Sequence, residues 1–148
     1  MDLFKTLYCY QYYRLNKEGK EGNAQIMGNI LSAIAFLLIV LSVYFLFVAL
    51  FPDFEKDMMQ ELTKLFGRSS GKLFGKTILF VVFIAAYPLM KYIYGTDEAY
   101  KKTILEFNTY SEIEKSKLAK KGSRVLLFLT ILLLFSTAVF LLAMFTVN

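Results

Sequence analysis

Three long apolar runs, Ile26–Phe51, Ile78–Met90 and Val125–Val147, leave no stretch of this chain long enough to fold as a soluble domain. The hydrocarbon core of a bilayer is about 30 Å thick and needs roughly 20 apolar residues of helix to cross it. The first and third runs meet that length with no charged residue inside them. With 57% hydrophobic and 20% charged residues among 148, the composition is that of one polytopic membrane domain. The chain lacks His and carries only Cys9. It therefore has no side chain that titrates near neutral pH without a large shift, and no soft metal-ligand cluster. Cys9 reads as a small apolar residue in an aromatic segment. No cofactor or metal is expected.

Basic residues flanking membrane helices are retained on the cytoplasmic side. Lys5, Arg14, Lys17 and Lys20 precede the first run, and seven more basic residues lie between Lys101 and Arg124. The expected topology has 1–25 in the cytoplasm, 26–51 as the first span and 52–77 outside. A second span at 78–94 leads to a cytoplasmic helical hairpin at 95–124 and a third span at 125–147, with the C-terminus outside. The second span is the weak one. Thr77 to Met90 gives about 21 Å of helix, so Lys76 and Lys91 must snorkel and Tyr87, Tyr92 and Tyr94 must form an aromatic belt. A re-entrant hairpin competes with it. The apolar run starts too late and is too long for a cleavable signal, so the first helix is expected to stay as an anchor.

The connecting segments carry helical patterns of their own. In 1–16, Phe4, Leu7, Tyr8, Gln11, Tyr12 and Leu15 fall near one face. That face is expected to lie flat on the inner leaflet, with docking of a cytosolic partner as the alternative. After Pro52, acids come first, then Lys64 and a Gly67 stop, which marks a short helix. Its Phe54, Met58, Met59, Leu62 and Phe66 form an amphipathic face for the outer leaflet or an adaptable partner surface. Thr96 and Asp97 open a polar helix, and Ser111 with Glu114 makes a capping box for the next one. The basic stretch Lys115–Arg124 is read as a topology anchor able to contact anionic lipid, not as a nucleic-acid site.

Ser70–Thr77, SGKLFGKT, brushes against the phosphate-binding loop pattern but has Ser70 at the first glycine and no strand before it. A nucleotide is not expected. The more informative pattern is Gly28, Ala35, Ser42 and Ala49, small residues at every seventh position, with Ser32 beside them. Such a heptad lets another helix approach closely in a left-handed crossing. Ser136 and Ala143 in the third run partly match it, and Thr130 and Thr137 offer interhelical hydrogen bonds. Packing within one chain and self-association are both open. No Asp, Glu, Arg or Lys sits mid-membrane, whereas ion-coupled transporters and voltage sensors use such residues. Asn29 is the most polar group in the spans. Asp97 with Glu98 and Asp53 with Asp57 are the only paired carboxylates, and their place at helix starts accounts for them.

The layout, with Phe4-Lys5 and Tyr12-Tyr13-Arg14 leading, Pro52-Asp53 closing the first helix, Tyr100-Lys101-Lys102 after the second and Lys120-Lys121-Gly122 before the third, resembles small three-helix membrane proteins of Bacteroidetes-type bacteria. In size and plan it is similar to bacterial membrane immunity proteins. These resemblances imply an inner-membrane location, and no catalytic or binding residue carries across from them. The sequence thus leads us to expect an all-α integral membrane protein, three transmembrane helices with short amphipathic interfacial helices. It is expected to act without catalysis, through membrane lipids and a protein partner, either a toxin or a complex subunit. The alternative is a homo-oligomeric pore or holin-like permeabiliser, with a membrane enzyme or transporter last.

Overall fold

In a computed structural model the described residues are 2–51, 53, 57, 60, 61, 63, 64 and 68–146. Five helices are defined in these residues: α1 (Leu3–Lys17), α2 (Ala24–Leu50), α3 (Arg68–Ile93), α4 (Asp97–Asn108) and α5 (Glu112–Thr146), with a short 3-10 turn at Glu21–Asn23. The chain is all-helical, and two helices, within Glu21–Leu50 and Glu112–Phe145, are long and apolar enough to cross a membrane. The apolar part of α3, Phe80–Ile93, is shorter. Only 22% and 11% of the most apolar windows of α2 and α5 are buried. A core helix of a soluble domain would be mostly covered, so these surfaces suit a hydrocarbon environment.

α2 is the central helix, packed on both α5 and α3. Leu129 of α5 meets Ala35 of α2, and further along both helices Phe140 stacks on Phe45 with ring centroids 5.3 Å apart. The two helices therefore run in the same direction. α3 runs opposite: Ala86 and Met90, toward its C-terminal end, cluster with Ala33 near the start of α2. α3 and α5 make almost no direct contact among the described residues.

Most of the small residues that recur at heptad spacing are covered along the seam of α2 with α1 and α5. Gly28, Ser32, Ala35, Ser42 and Ser136 are buried, while Ala49 and Ala143 are half-buried. Ala35 is fully enclosed between Leu7 and Leu129. Leu in its place would overfill that junction, at a cost of about 1–3 kcal/mol. Ala35→Leu is expected to lower the melting temperature in detergent, and an unchanged melt would count against this seam. Thr130 and Thr137 do not reach across it. Their hydroxyls donate to Leu126 and Leu133 carbonyls at 3.0 and 2.8 Å within α5, as Ser42 donates to Leu38 within α2 at 2.7 Å. Those helical carbonyls are one turn away, whereas a partner on another helix would have to be built.

The largest departure from the sequence reading concerns residues 3–17. Instead of lying flat on a leaflet, α1 is packed against both α2 and α5, with Thr6, Leu7, Tyr8 and Cys9 buried. Four consecutive buried residues point in every direction around a helix, so this turn is enclosed and not amphipathic. Its ends are well specified. Asp2 caps the start by accepting from the Lys5 amide at 2.8 Å. At the finish, Gly19 adopts φ 69°, the Gly19 amide donates to Asn16 and the Lys20 amide to Leu15. This is a Schellman stop, and it needs the left-handed conformation that glycine adopts freely.

Two other boundaries move. α3 already begins at Arg68, so residues 68–77 are helical, SGKLFGKT throughout. Tyr94, expected in an interfacial belt, turns inward onto Phe4 with centroids 5.1 Å apart, while Tyr92 remains 80% exposed. The face formed by Phe54, Met58, Met59, Leu62 and Phe66 lies outside the described residues. The described positions around it, Asp53, Asp57, Gln60, Glu61, Thr63 and Lys64, are helical, and Lys64 pairs with Glu61 at 2.7 Å.

Candidate functional site

The polar groups of the chain converge where α1 enters the bundle. The Tyr8 hydroxyl donates to Asn29 Oδ1 at 2.5 Å, which gives a buried amide in an apolar helix a partner from outside that helix. Three glycines make this seat. A Cβ on Gly28 would fall 2.4 Å from the Tyr8 ring, one on Gly95 1.8 Å from Asn29 Oδ1, and one on Gly122 2.6 Å from Tyr10 Cβ and 3.2 Å from the Thr6 carbonyl. Gly28 lies in α2, Gly95 after α3 and Gly122 in α5, so three separate segments present bare backbone to the seat.

Gln25 locks the adjoining corner. Its Nε2 donates to the Gly95 carbonyl at 3.0 Å and to Asp97 Oδ1 at 2.9 Å, tying the end of α3 and the start of α4 to the first turn of α2. Thr96 caps α4 by accepting from the Ala99 amide at 3.3 Å. α4 then folds over α1 through aromatic edges: Tyr8 against Tyr100, and Tyr12 and Tyr13 against buried Phe107, with centroids 6.0 to 6.3 Å apart. Burial pushes the Tyr100 hydroxyl up to about 12 and the Cys9 thiol up to about 12, the latter with help from the Glu106 carboxylate. Both groups are protonated at neutral pH, and neither offers an anionic nucleophile there.

The Ser111–Glu114 capping box forms as its spacing implies. The Ser111 amide and hydroxyl donate to Glu114 Oε2 at 2.9 and 2.8 Å, and these bonds hold the Glu114 carboxyl below its ordinary range. α5 continues without a break from this cap into its apolar part. Between its basic first half and the second half of α1 runs a shallow open groove, lined by Tyr13, Arg14 and Lys17 on one side and Ser116, Lys120 and Ser123 on the other.

Among the described residues no three His, Cys, Asp or Glu side chains come together to hold a metal. Asp97, one of the candidate carboxylates, is engaged by Gln25. Of the residues anticipated as a packing face, the structure brings Gly28, Ala35, Ser42 and Ser136 into the buried interior together with α1. It adds Gln25, Gly95 and Gly122, which periodicity does not single out, and buries Tyr8, which the helical spacing of 1–16 had placed on a leaflet face. The available signal was Gly122 inside a strongly helical run, where glycine costs about 1 kcal/mol against alanine and so asks for a packing reason. No protein-family model matches the chain, and comparison with curated proteins and with solved structures returns no match.

Proposed function

We propose that this is a multi-pass protein of the bacterial inner membrane that works by protein contact, as an immunity protein against a membrane-acting toxin or as an accessory subunit of a membrane complex. In this reading the N-terminus and α4 face the cytoplasm, as the basic residues around them imply, and α3 completes a third span. Catalysis has no part in it.

One observation supports it most. α3 and α5 both pack on α2 but make almost no direct contact with each other among the described residues, so their remaining apolar faces stay apart. Phe80, Phe83 and Ile84 on α3 and Leu134 and Phe135 on α5 are each more than half exposed. Two helices that flank a third without meeting each other present a surface of the kind that a partner helix fills. Part of the small-residue face of α2, which a ring of identical chains would need, is already covered within the chain, by Tyr8 at Gly28 and by Leu7 and Leu129 at Ala35. This argues against the pore.

The test is an affinity pull-down of the tagged protein from native membranes in mild detergent, with mass spectrometry of what accompanies it. A single stoichiometric partner is the expected result, and its identity separates toxin from complex. Recovery of this chain alone as a discrete oligomer would overturn the reading in favour of the pore. An immunity protein is further expected to be silent when expressed alone and to rescue cells from one toxin.

A further inference from the structure

We infer that the groove between α1 and α5 binds the phosphate of an anionic phospholipid headgroup. The two helices touch backbone to side chain at Gly122, where Tyr10 Cβ and the Thr6 carbonyl leave no room for a Cβ. From that crossing they separate toward Lys17 and Ser116, and the groove opens between them. Arg14, Lys17 and Lys120 bring three positive charges to it, against the single carboxylate of Glu18 at its mouth. Glu18 is engaged by Arg14 at 3.5 Å and Lys20 at 3.7 Å, so one cation of the groove is partly spent on it. Lys17 lies over the Tyr13 ring, 4.4 Å from its centroid, which places its ammonium at the groove wall. Lys120 is exposed and has no ion pair among the described residues. Hydroxyls of Tyr13, Ser116 and Ser123 supply neutral donors between the cations.

Position selects the ligand. Ser123 stands two residues before Val125, where the uncharged run of α5 begins, and Lys120 five residues before it. At 1.5 Å per residue these lie about 3 and 8 Å outside the hydrocarbon edge, within the headgroup layer. An arginine fork beside two ammonium groups is the chemistry that holds a phosphate monoanion there. A headgroup so bound would bridge α1 and α5 and steady their contact.

The inference rests on the membrane location and not on the protein partner. Purified full-length protein in nonionic detergent is titrated with phosphatidylglycerol, phosphatidylcholine or inorganic phosphate, with binding read by native mass spectrometry and thermal shift. Phosphatidylglycerol is expected to bind and to raise the melting temperature, while phosphatidylcholine does neither. The Lys17→Gln/Lys120→Gln variant is expected to weaken phosphatidylglycerol binding about thirty-fold, a factor of about five for each charge. The charge-matched Lys101→Gln/Lys102→Gln variant on α4 is expected to change it less than about three-fold, because surface charge away from the ligand is screened. Equal losses in both variants, or equal binding of the two lipids, would overturn the site. Protection by inorganic phosphate at matched concentration would reassign the groove to a soluble phosphate compound. Failure of the protein to remain in carbonate-washed membranes would remove the membrane reading itself, and the inference with it.

Discussion

Gly122→Leu is expected to expel α1 from the bundle. A Cβ at this position falls 2.6 Å from Tyr10 Cβ, an atom bonded directly to the α1 backbone, and 3.2 Å from the Thr6 carbonyl. No rotamer change relieves such a contact, so the two helices must separate. Overfilling a packed junction costs about 1–3 kcal/mol for a few atoms, and leucine adds three carbons beyond the Cβ. The readout is Cys9, the single cysteine of the chain. Its side chain is fully buried and its thiol is pushed up to about 12, so it should resist a maleimide at neutral pH in the parent protein. Once α1 undocks, both protections are lost and labelling should become rapid. Gly122→Ala makes the sharper comparison because two effects oppose each other. Helix propensity alone favours alanine by about 1 kcal/mol. If α1 lay on the lipid surface, the alanine variant would therefore melt higher than the parent. With α1 seated against Gly122 it is expected to melt lower, and the sign of the change decides between the two arrangements.

Removing Tyr8 is expected to cost nearly as much, in two separable parts. Tyr8→Phe keeps the ring against Gly28 and Tyr100 but leaves Asn29 Oδ1 buried without its donor. An orphaned buried acceptor costs about 1–3 kcal/mol in water-soluble proteins, and hydrogen bonds between membrane helices measure toward the lower end of that range. Tyr8→Ala also empties the space of a side chain that is 1% exposed, for a total of about 3–5 kcal/mol. Chemical or thermal unfolding of Tyr8→Phe, Asn29→Ala and the double variant closes a cycle. A coupling near 1 kcal/mol is expected, since phenylalanine should be almost neutral once Asn29 is gone. Additive losses would mean that the two side chains do not support each other, and the seat would have to be assigned to shape alone.

Much of the architecture was legible because it follows from local pattern. The uncharged runs that give α2 and the apolar half of α5, the Thr96 cap and the Ser111–Glu114 box are all written within a few neighbouring residues. Where one stretch offered two readings, tertiary contact chose. Residues 3–17 carry aromatics that suit either a headgroup layer or a packed interior, and three bare glycine backbones, in α2, after α3 and in α5, supply the interior. Thr130 and Thr137 have hydroxyls suited to bridging helices, but a carbonyl one turn back in α5 is always within reach. The start of α3 was misplaced because Arg68, Lys72 and Lys76 read as loop by charge, although nothing in them opposes a helix.

The candidate site divides in the same way. Gly28, Ala35, Ser42 and Ser136 were visible because small residues recur at heptad spacing, and all four are buried. Tyr8, Gln25, Gly95 and Gly122 are single residues on four different segments, and no period links them. The sequence by itself determined that this chain is helical, that two of its helices are long and apolar enough to cross a membrane, and where its caps fall, because length, charge and capping chemistry act over a few residues. Only the tertiary structure decided that α1 docks against α2 and α5 beneath α4. That choice depends on a donor 21 residues from its acceptor and on glycines as far apart as Gly28 and Gly122, whose meeting is a property of the packed helices and of no local segment.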